Sequence, residues 1–124
     1  MITVKEIAYT GYPVTDITRA RAFYEGLLRL KPGVSFEHEG KHWLEYEVGG
    51  STLAISNMSP DKWKPSVDGP SVALEVTDFA EAVEMLQAAK VKVLLGPMDS
   101  GVCKIIIVSD PDGNSLIIHQ RHAG

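Results

Sequence analysis

Residues 14–28 read VTDITRARAFYEGLL, and residues 76–90 read VTDFAEAVEMLQAAK. The two segments share the opening VTD and lie 62 positions apart. A second match, GSTLAIS at 50–56 against GNSLIIH at 113–119, has an offset of 63. Since two matched sites at nearly one offset rarely coincide by chance, the sequence predicts two copies of one structural unit.

Each copy has the same predicted order of elements. Asp16 and Asp78 follow extended segments and suit helix N-caps, because an aspartate side chain can accept a hydrogen bond from the first turn. A helix of about three turns is predicted after each aspartate from the apolar periodicity. The first helix carries its apolar stripe on Ile17, Ala20, Tyr24, Leu27 and Leu28.

Strand candidates separated by Gly, Asn, Asp and Pro follow each helix. They are SFEHE, KHWLEYEV and STLAIS in the first copy, and VKVLL, VCKIIIV and SLIIHQ in the second. The prediction is an α+β domain, residues 1–124, with two βαβββ modules. The modules span about 1–57 and 71–124, and the segment 58–70, which has three prolines, is the predicted linker.

Alternate residues of a strand point to opposite faces, so the predicted strands can be sorted by face. One face is predicted to meet the helices and holds Leu44, Tyr46, Val48, Leu53, Ile55, Val72, Leu74, Val76, Ile105, Ile107, Leu116 and Ile118. The other face mixes polar and apolar residues, which suits a concave ligand pocket better than a dry core. It also holds Gly11, Thr52, Ala73, Ile106, Val108 and Ser115. Its candidate ligand-binding residues are Tyr9, Trp43, Glu45, Glu47, Ala54, Ser56, Ser71, Glu75, Lys104, Ile117 and His119.

The charge balance argues against a nucleic-acid partner. The chain has 12 Lys and Arg against 16 Asp and Glu, and no basic run that could follow a phosphate backbone. No stretch approaches the roughly 18 apolar residues that span a bilayer, and the first residues lack an apolar segment behind a basic one. We therefore expect a cytoplasmic protein with no membrane partner.

The two βαβββ modules, the segment at 14–28 with its FY pair and the turn DPDGN at 110–114 together resemble the vicinal oxygen chelate superfamily. This superfamily includes glyoxalase I, extradiol dioxygenases, fosfomycin-resistance enzymes and bleomycin-resistance proteins. The resemblance extends over nearly the whole chain, although such families usually read LGL where residues 28–30 read LRL. It implies mixed, curved sheets that form a cup, with the helices on the convex face. Aspartates with a glycine are what a tight turn requires, so DPDGN is interpreted as a structural turn and not as a calcium loop.

The resemblance also implies where a divalent metal would be held. In metal-using members, up to four His or Glu side chains come from matched positions on the first and last strands of the modules. Those positions fall on Tyr9, Ala54, Ser71 and Ile117. None is His, Glu or Asp, and alanine and isoleucine have no lone pair to give to a metal. We therefore predict neither a metal nor another cofactor.

His119 keeps other chemistry open. It lies one pleat beyond Ile117 on the same predicted face, so a displaced metal site built from His119 and glutamates is an alternative. As a neutral imidazole near a carboxylate, His119 could instead be a general base. It could equally form a hydrogen bond with Ser56, its counterpart in the repeat.

The favoured function is metal-free binding of a small aromatic or cationic molecule, as in the bleomycin-resistance proteins that the chain resembles. Tyr9 would donate a hydrogen bond or fill the vacated space, and Trp43 would stack on the ligand. Trp63 of the linker would act as a lid or pack on its own prolines. The alternatives are a divalent-metal-dependent lyase, dioxygenase or thiol transferase with displaced ligands, and a metal-free acid/base enzyme that uses His119. We also predict a homodimer, because exposed edges of two four-stranded sheets favour association.

Overall fold

The computed structural model describes residue 1 and residues 3–122, and the chain forms two compact units, Met1–Lys64 and Pro65–Gly124. Each unit contains one βαβββ module. The first has β1 (Thr10–Pro13), α1 (Ile17–Arg21) continued by a π-helical segment (Ala22–Leu27), β2 (Lys31–His38), β3 (Lys41–Val48) and β4 (Ser51–Ser56). The second has β5 (Val72–Glu75), α2 (Phe79–Ala88), β6 (Val93–Asp99), β7 (Cys103–Ser109) and β8 (Ser115–Arg121). The predicted α+β class with two βαβββ modules is confirmed.

Each unit has one four-stranded mixed sheet, in the orders β1-β4-β3-β2 and β5-β8-β7-β6. The first strand of each module pairs parallel with the last, and the remaining pairs are antiparallel. The last strand therefore lies inside its sheet, between the first and third strands. This position brings residues of the two strands that are far apart in sequence side by side.

The predicted helix N-caps are confirmed. The Asp16 side chain accepts a hydrogen bond from the backbone N–H of Arg19 at 3.0 Å, and Asp78 accepts one from Glu81 at 3.1 Å. Both caps have extended backbone, which is the conformation that this role requires.

The first helix departs from the predicted α-helical stripe. After Arg21 it widens into a π-helix, in which the N–H of Leu28 donates to the carbonyl of Phe23 at 2.9 Å. The wider turn places two consecutive rings in the core, since Phe23 is 6% exposed and Tyr24 is fully buried. An α-helical period assigns only Tyr24 to the buried stripe, so the sequence prediction missed Phe23.

The helix-facing side of the first sheet is its core. The ring of Tyr46 stacks on Tyr24 with centroids 6.1 Å apart, and its hydroxyl donates to Glu25 at 2.9 Å. The other buried apolar residues of the first unit are Tyr12, Val14, Ala20, Phe23, Leu44, Leu53, Ala54 and Ile55. In the second unit they are Leu74, Phe79, Leu86, Ile106, Val108, Leu116 and Ile118.

The sequence prediction placed the residues of β7 on the wrong faces of the sheet, because its alternation was shifted by one residue. In the structure Ile106 aligns with Ile118 on the buried face, and Ile105 and Ile107 align with His119 and Ile117. The run IIIV at 105–108 has no polar residue to mark the outer face, so its alternation cannot set the phase of the strand. As a consequence, Val108 faces the core, where it is fully buried, and Lys104 also lies on the side opposite the one predicted.

The DPDGN turn is held by one buried carboxylate. Asp110 is 3% exposed, and its Oδ1 accepts the backbone N–H groups of Asp112 at 2.8 Å and Asn114 at 2.9 Å. Its Oδ2 accepts the side-chain amide of Asn114 at 2.9 Å. These bonds confirm the structural turn that leads into β8. In the described part of the chain, no helix is long and apolar enough to cross a membrane.

Candidate functional site

The side of the first sheet opposite its helix carries an aromatic cluster, which we define as Tyr9, Trp43 and Trp63. The rings of Tyr9 and Trp43 meet edge to face, with centroids 4.9 Å apart and planes at 83°. A Cβ added at Gly11 would lie 3.0 Å from Cη2 of Trp63 and 3.7 Å from the ring of Tyr9. Trp63 therefore packs on the backbone of β1, where a side chain at position 11 would require the indole to shift by a few tenths of an ångström.

The aromatic cluster is open to solvent. Tyr9 is 49% exposed, and Trp43 and Trp63 are half-buried. Beneath it, Ala54 of β4 is aligned with Gly11 and is fully buried. Because Gly11 and Ala54 are small, the rings of the aromatic cluster keep exposed surface that a flat ligand can contact.

A carboxylate lies directly beside these rings. Nε1 of Trp43 donates to Oε2 of Glu45 at 2.8 Å, which fixes the orientation of the indole. Glu45 aligns with Ala54, and Glu47, one pleat further along β3, aligns with Thr52. The predicted placement of Tyr9, Trp43, Glu45 and Glu47 on one face agrees with this register.

Ser56 has a structural role on this face. It is fully buried; its hydroxyl donates to the carbonyl of His42 at 2.8 Å and accepts from the N–H of Met58 at 3.0 Å. The hydroxyl anchors the chain as it leaves β4. His119, for which a bond to Ser56 was one alternative, has a partner within the second unit, the carboxylate of Glu75.

The matching side of the second sheet carries a histidine–carboxylate pair. Nδ1 of His119 lies 2.5 Å from Oε1 of Glu75, which is its neighbour across the parallel β5–β8 pairing. Oε2 of Glu75 accepts the backbone N–H of Arg121 at 2.8 Å. The Arg121 N–H, followed by the bond from His119, lowers the pKa of the Glu75 carboxyl below its ordinary value. Both oxygens of Glu75 are thus engaged, and the imidazole is held at a fixed angle.

Aliphatic side chains surround this pair and form what we call the aliphatic platform. Its members are Leu95, Met98, Ile105, Ile107 and Ile117. Leu95 and Met98 are 47% and 46% exposed, and the three isoleucines are half-buried. Sequence reasoning missed four of these residues because the phase of β7 was misassigned and β6 was not sorted by face.

Two predicted members of this site have other positions or partners. Lys104 aligns with Gln120 and Asp99, on the face opposite His119, so the prediction that it lies on the ligand-binding face was wrong. At the other end of the β5–β8 pairing, the hydroxyls of Ser71 and Ser115 form a hydrogen bond with each other. Ser71 is therefore already partnered within its own unit.

A separate cleft of about 350 Å³ lies in the first unit between α1 and strands β2 and β3. Arg21, Glu37 and His42 line it together with apolar and hydroxyl side chains. Arg21 forms a salt bridge with Glu25 at 2.8 Å, which balances its positive charge, so neither sign of charge dominates the cleft. Of the residues predicted from the sequence as ligand contacts, Trp43 borders it.

The four positions to which the sequence resemblance assigns metal ligands, Tyr9, Ala54, Ser71 and Ile117, carry weak or non-existent donors. Ala54 and Ile117 are apolar, Tyr9 packs on Trp43, and Ser71 is bonded to Ser115. Across residue 1 and residues 3–122, no three His, Cys, Asp or Glu side chains come together in a group that could hold a metal ion. The donor set present does not fit a divalent ion.

A family model for the glyoxalase/bleomycin resistance protein/dioxygenase superfamily matches residues 6–118. The chain therefore belongs to this superfamily, and the resemblance inferred from the sequence is confirmed. No curated protein sequence matches the chain.

Solved structures share the fold at low sequence identity. TnmS3, an antibiotic binding protein from a Streptomyces species, has a TM-score of 0.78 and 21% identity over 98% of this chain and 100% of its own. Trypanothione-dependent glyoxalase I of Leishmania major has a TM-score of 0.76 and 19% identity over 94% of this chain and 87% of its own. FosX, a fosfomycin resistance protein of Listeria monocytogenes, has a TM-score of 0.75 and 15% identity over 97% of this chain and 96% of its own. At these identities the likeness establishes the fold.

Proposed function

We propose that this protein binds a small, flat aromatic or cationic molecule on the aromatic cluster of its first unit, without a metal ion. The observation that carries the proposal is the solvent-open group of three aromatic rings on one sheet face, above Gly11 and Ala54. Aromatic side chains provide large, rigid apolar contact area with little loss of conformational freedom.

The charge beside the rings favours a cation. Glu45 is bonded to the Trp43 indole, and Glu47 is exposed on the same face. A cation over the face of a tryptophan or tyrosine is attracted by the ring quadrupole, and a nearby carboxylate adds to that attraction. The net charge of −4 acts in the same direction at longer range.

The absence of a metal from the proposal rests on the chemistry of the side chains. The sequence resemblance assigns the metal-holding positions to Tyr9, Ala54, Ser71 and Ile117, and two of these side chains have no donor atom. By its name and its solved members, the superfamily includes both enzymes and binding proteins. TnmS3, an antibiotic binding protein with the same fold, supports a binding role for this chain.

Binding is tested by calorimetric titration with two probes, acriflavine and metal-free bleomycin, which both join flat aromatic groups to positive charge. Trp43→Ala and Tyr9→Ala are expected to weaken binding about tenfold or more, equivalent to roughly 1.4 kcal/mol. Met85→Ala removes an exposed apolar side chain of α2 in the second unit, outside the cluster, and serves as the control. Equal affinities for all four proteins, or no binding of either probe to the unaltered protein, would contradict the proposal.

The metal-dependent alternative, a lyase, dioxygenase or thiol transferase with displaced ligands, is tested separately. Metal content is measured by mass spectrometry after purification without chelators or immobilised metal, followed by titration with zinc, nickel, manganese and iron. About one ion per chain, lost in His119→Ala and kept in His122→Ala, would support that alternative. We expect substoichiometric metal that neither substitution changes.

We further propose that the protein acts as a cytoplasmic homodimer. The exposed outer strands of its sheets support association. The location is tested by fractionating cells that express the protein at its natural level, where recovery with the membrane or secreted fraction would count against it.

A further inference from the structure

The Glu75–His119 pair fixes the tautomer of its histidine. An ionised carboxylate can only accept hydrogen bonds, so His119 Nδ1 is the donor in the contact with Glu75. In the neutral ring, Nε2 then has a lone pair and no proton. Among residue 1 and residues 3–122, no side chain or backbone group bonds to Nε2. The ring is 22% exposed, so a small molecule can reach it.

The surroundings of Nε2 are apolar. His119 aligns with Ile105 and Met98 across β7 and β6, and the next row holds Ile117, Ile107 and Leu95. A proton acceptor at the border of the aliphatic platform matches a ligand that has an apolar body and one acidic hydroxyl. Burial of the body against the platform would strengthen the hydrogen bond, because fewer waters compete for Nε2.

We propose that Glu75 and His119 form a proton-accepting site for a weakly acidic hydroxyl group of the phenol type, whose ring lies on the aliphatic platform. In the transfer, the O–H bond of the ligand breaks and an N–H bond forms at Nε2. The products are a phenolate and an imidazolium, and Glu75 stabilises the imidazolium through Nδ1. No carbon bond changes and no oxidant takes part.

A second histidine–carboxylate pair in the same unit provides an internal control. Nε2 of His122 lies 2.7 Å from Oδ1 of Asp99, which also accepts the N–H of Gly101 at 2.9 Å. Asp99 aligns with Lys104, on the face of the sheet opposite His119. His122 therefore has the same type of partner without the aliphatic platform, which makes it the comparison that isolates the proposed site.

The proposal does not rest on ligand binding at the aromatic cluster, since every residue it uses belongs to the second unit. The probe is para-nitrophenol, whose ionised form is distinguished by its yellow absorbance. At a pH near the probe's own pKa, the unaltered protein is expected to raise the ionised fraction in a saturable way. His119→Gln and Glu75→Gln are expected to weaken this effect at least tenfold, and His122→Gln to leave it within twofold.

The outcomes separate the role of the platform from that of the Glu75–His119 pair. Leu95→Ser should weaken probe binding and leave the ionised fraction of bound probe unchanged, because it alters the platform and keeps the pair. Thermal unfolding of each variant shows whether it is folded. A saturable signal that survives in folded His119→Gln, or no signal with the unaltered protein, would overturn the proposal.

Discussion

The side chain of Asp110 accepts three hydrogen bonds within the DPDGN turn, two from backbone N–H groups and one from the amide of Asn114. Removing the carboxylate leaves these donors without their partner in a buried turn. We expect Asp110→Ala to lower the free energy of unfolding by about 3 kcal/mol, since an unsatisfied buried group costs roughly 1–3 kcal/mol. Urea denaturation measures this loss. Asp61→Ala, at an exposed linker position, is the control, and equal midpoints for the two variants would contradict the prediction.

Gly96 is a residue whose lack of a side chain is required by its surroundings. Its φ is +90°, and an added Cβ would lie 3.0 Å from the carbonyl oxygen of Ile105 and 3.1 Å from the backbone N of Met98. We expect Gly96→Ala to destabilise the protein by about 1–3 kcal/mol, because both the backbone angle and the close approach oppose it.

Gly26 provides the matched comparison for that measurement. It lies within the π-helical segment, and a Cβ there would meet nothing within 4 Å. Gly26→Ala should leave stability unchanged or raise it by up to about 1 kcal/mol. If both alanine variants unfold at the same urea concentration as the unaltered protein, the steric argument at Gly96 is wrong.

Single residues also show where sequence reasoning is sufficient. The N-cap roles of Asp16 and Asp78 and the turn at 110–114 were predictable, because each depends on side chains within four positions. The contact of Trp63 with Gly11 spans 52 positions and depends on the path of the linker, so no local pattern indicates it. The same holds for Glu75 and His119, which meet through the parallel pairing of β5 and β8.

At the level of elements, the π-helical segment is tied to β3 through a charged group. Arg21 and the Tyr46 hydroxyl both donate to Glu25, at 2.8 and 2.9 Å. The bond from Arg21, together with that from Tyr46, holds the pKa of Glu25 below its ordinary value of 4.5, against an opposing effect of burial. The pKa of the Tyr46 hydroxyl is raised, chiefly by burial and also by its bond to Glu25.

The lowered pKa of Glu25 predicts a pH-dependent contribution to stability. A group with a depressed pKa in the folded state stabilises that state above its unfolded pKa, and this stabilisation is lost as the pH falls through the folded pKa. Glu25→Gln should therefore lower the free energy of unfolding by about 1 kcal/mol at neutral pH. The difference should shrink below pH 4.5 and vanish in more acidic solution.

Urea midpoints of the two proteins from neutral to acidic pH test this expectation. Glu84→Gln, at an exposed position of α2, controls for the loss of one negative charge. A gap between Glu25→Gln and the unaltered protein that stays constant with pH would show that the stabilisation does not depend on ionisation of Glu25.

The assignment of strand residues to one face of the sheet or the other shows how far the sequence can predict a single element. In β3 and β4, alternating large and polar residues gave the correct faces for Leu44, Tyr46, Glu45 and Ala54. In β7, four consecutive aliphatic residues fit either face, and only the pairing with β8 decides between them. For this reason the aliphatic platform was not predicted from the sequence.

For the whole molecule, the expected homodimer follows from the sheet edges. All residues of β2 are exposed, and Val34 and Phe36 leave 67% and 55% of their surface to solvent. Apolar side chains on an unpaired edge strand favour association. Sedimentation at micromolar concentration should give twice the 13.5 kDa mass of one chain. Phe36→Lys should shift the protein toward single chains, Val102→Lys in a loop should not, and a 13.5 kDa species alone would contradict the expectation.

The overall fold was predictable because the sequence contains two copies of the same βαβββ unit. Two weak signals at matching offsets, one in the helices and one in the last strands, supported each other and defined the βαβββ order that the structure has. The ligand chemistry was less accessible, since it depends on which side chains the register brings together.

The internal repeat has a consequence for how such a protein evolves. Each half has its own buried core, and each presents a different set of side chains on its open face: aromatic rings with a carboxylate in one, aliphatic groups with a histidine in the other. A substitution on one face therefore leaves the scaffold of the other intact. Two copies of one module thus present two different sets of side chains on one backbone plan, so a new specificity requires changes on an open face and no change of fold.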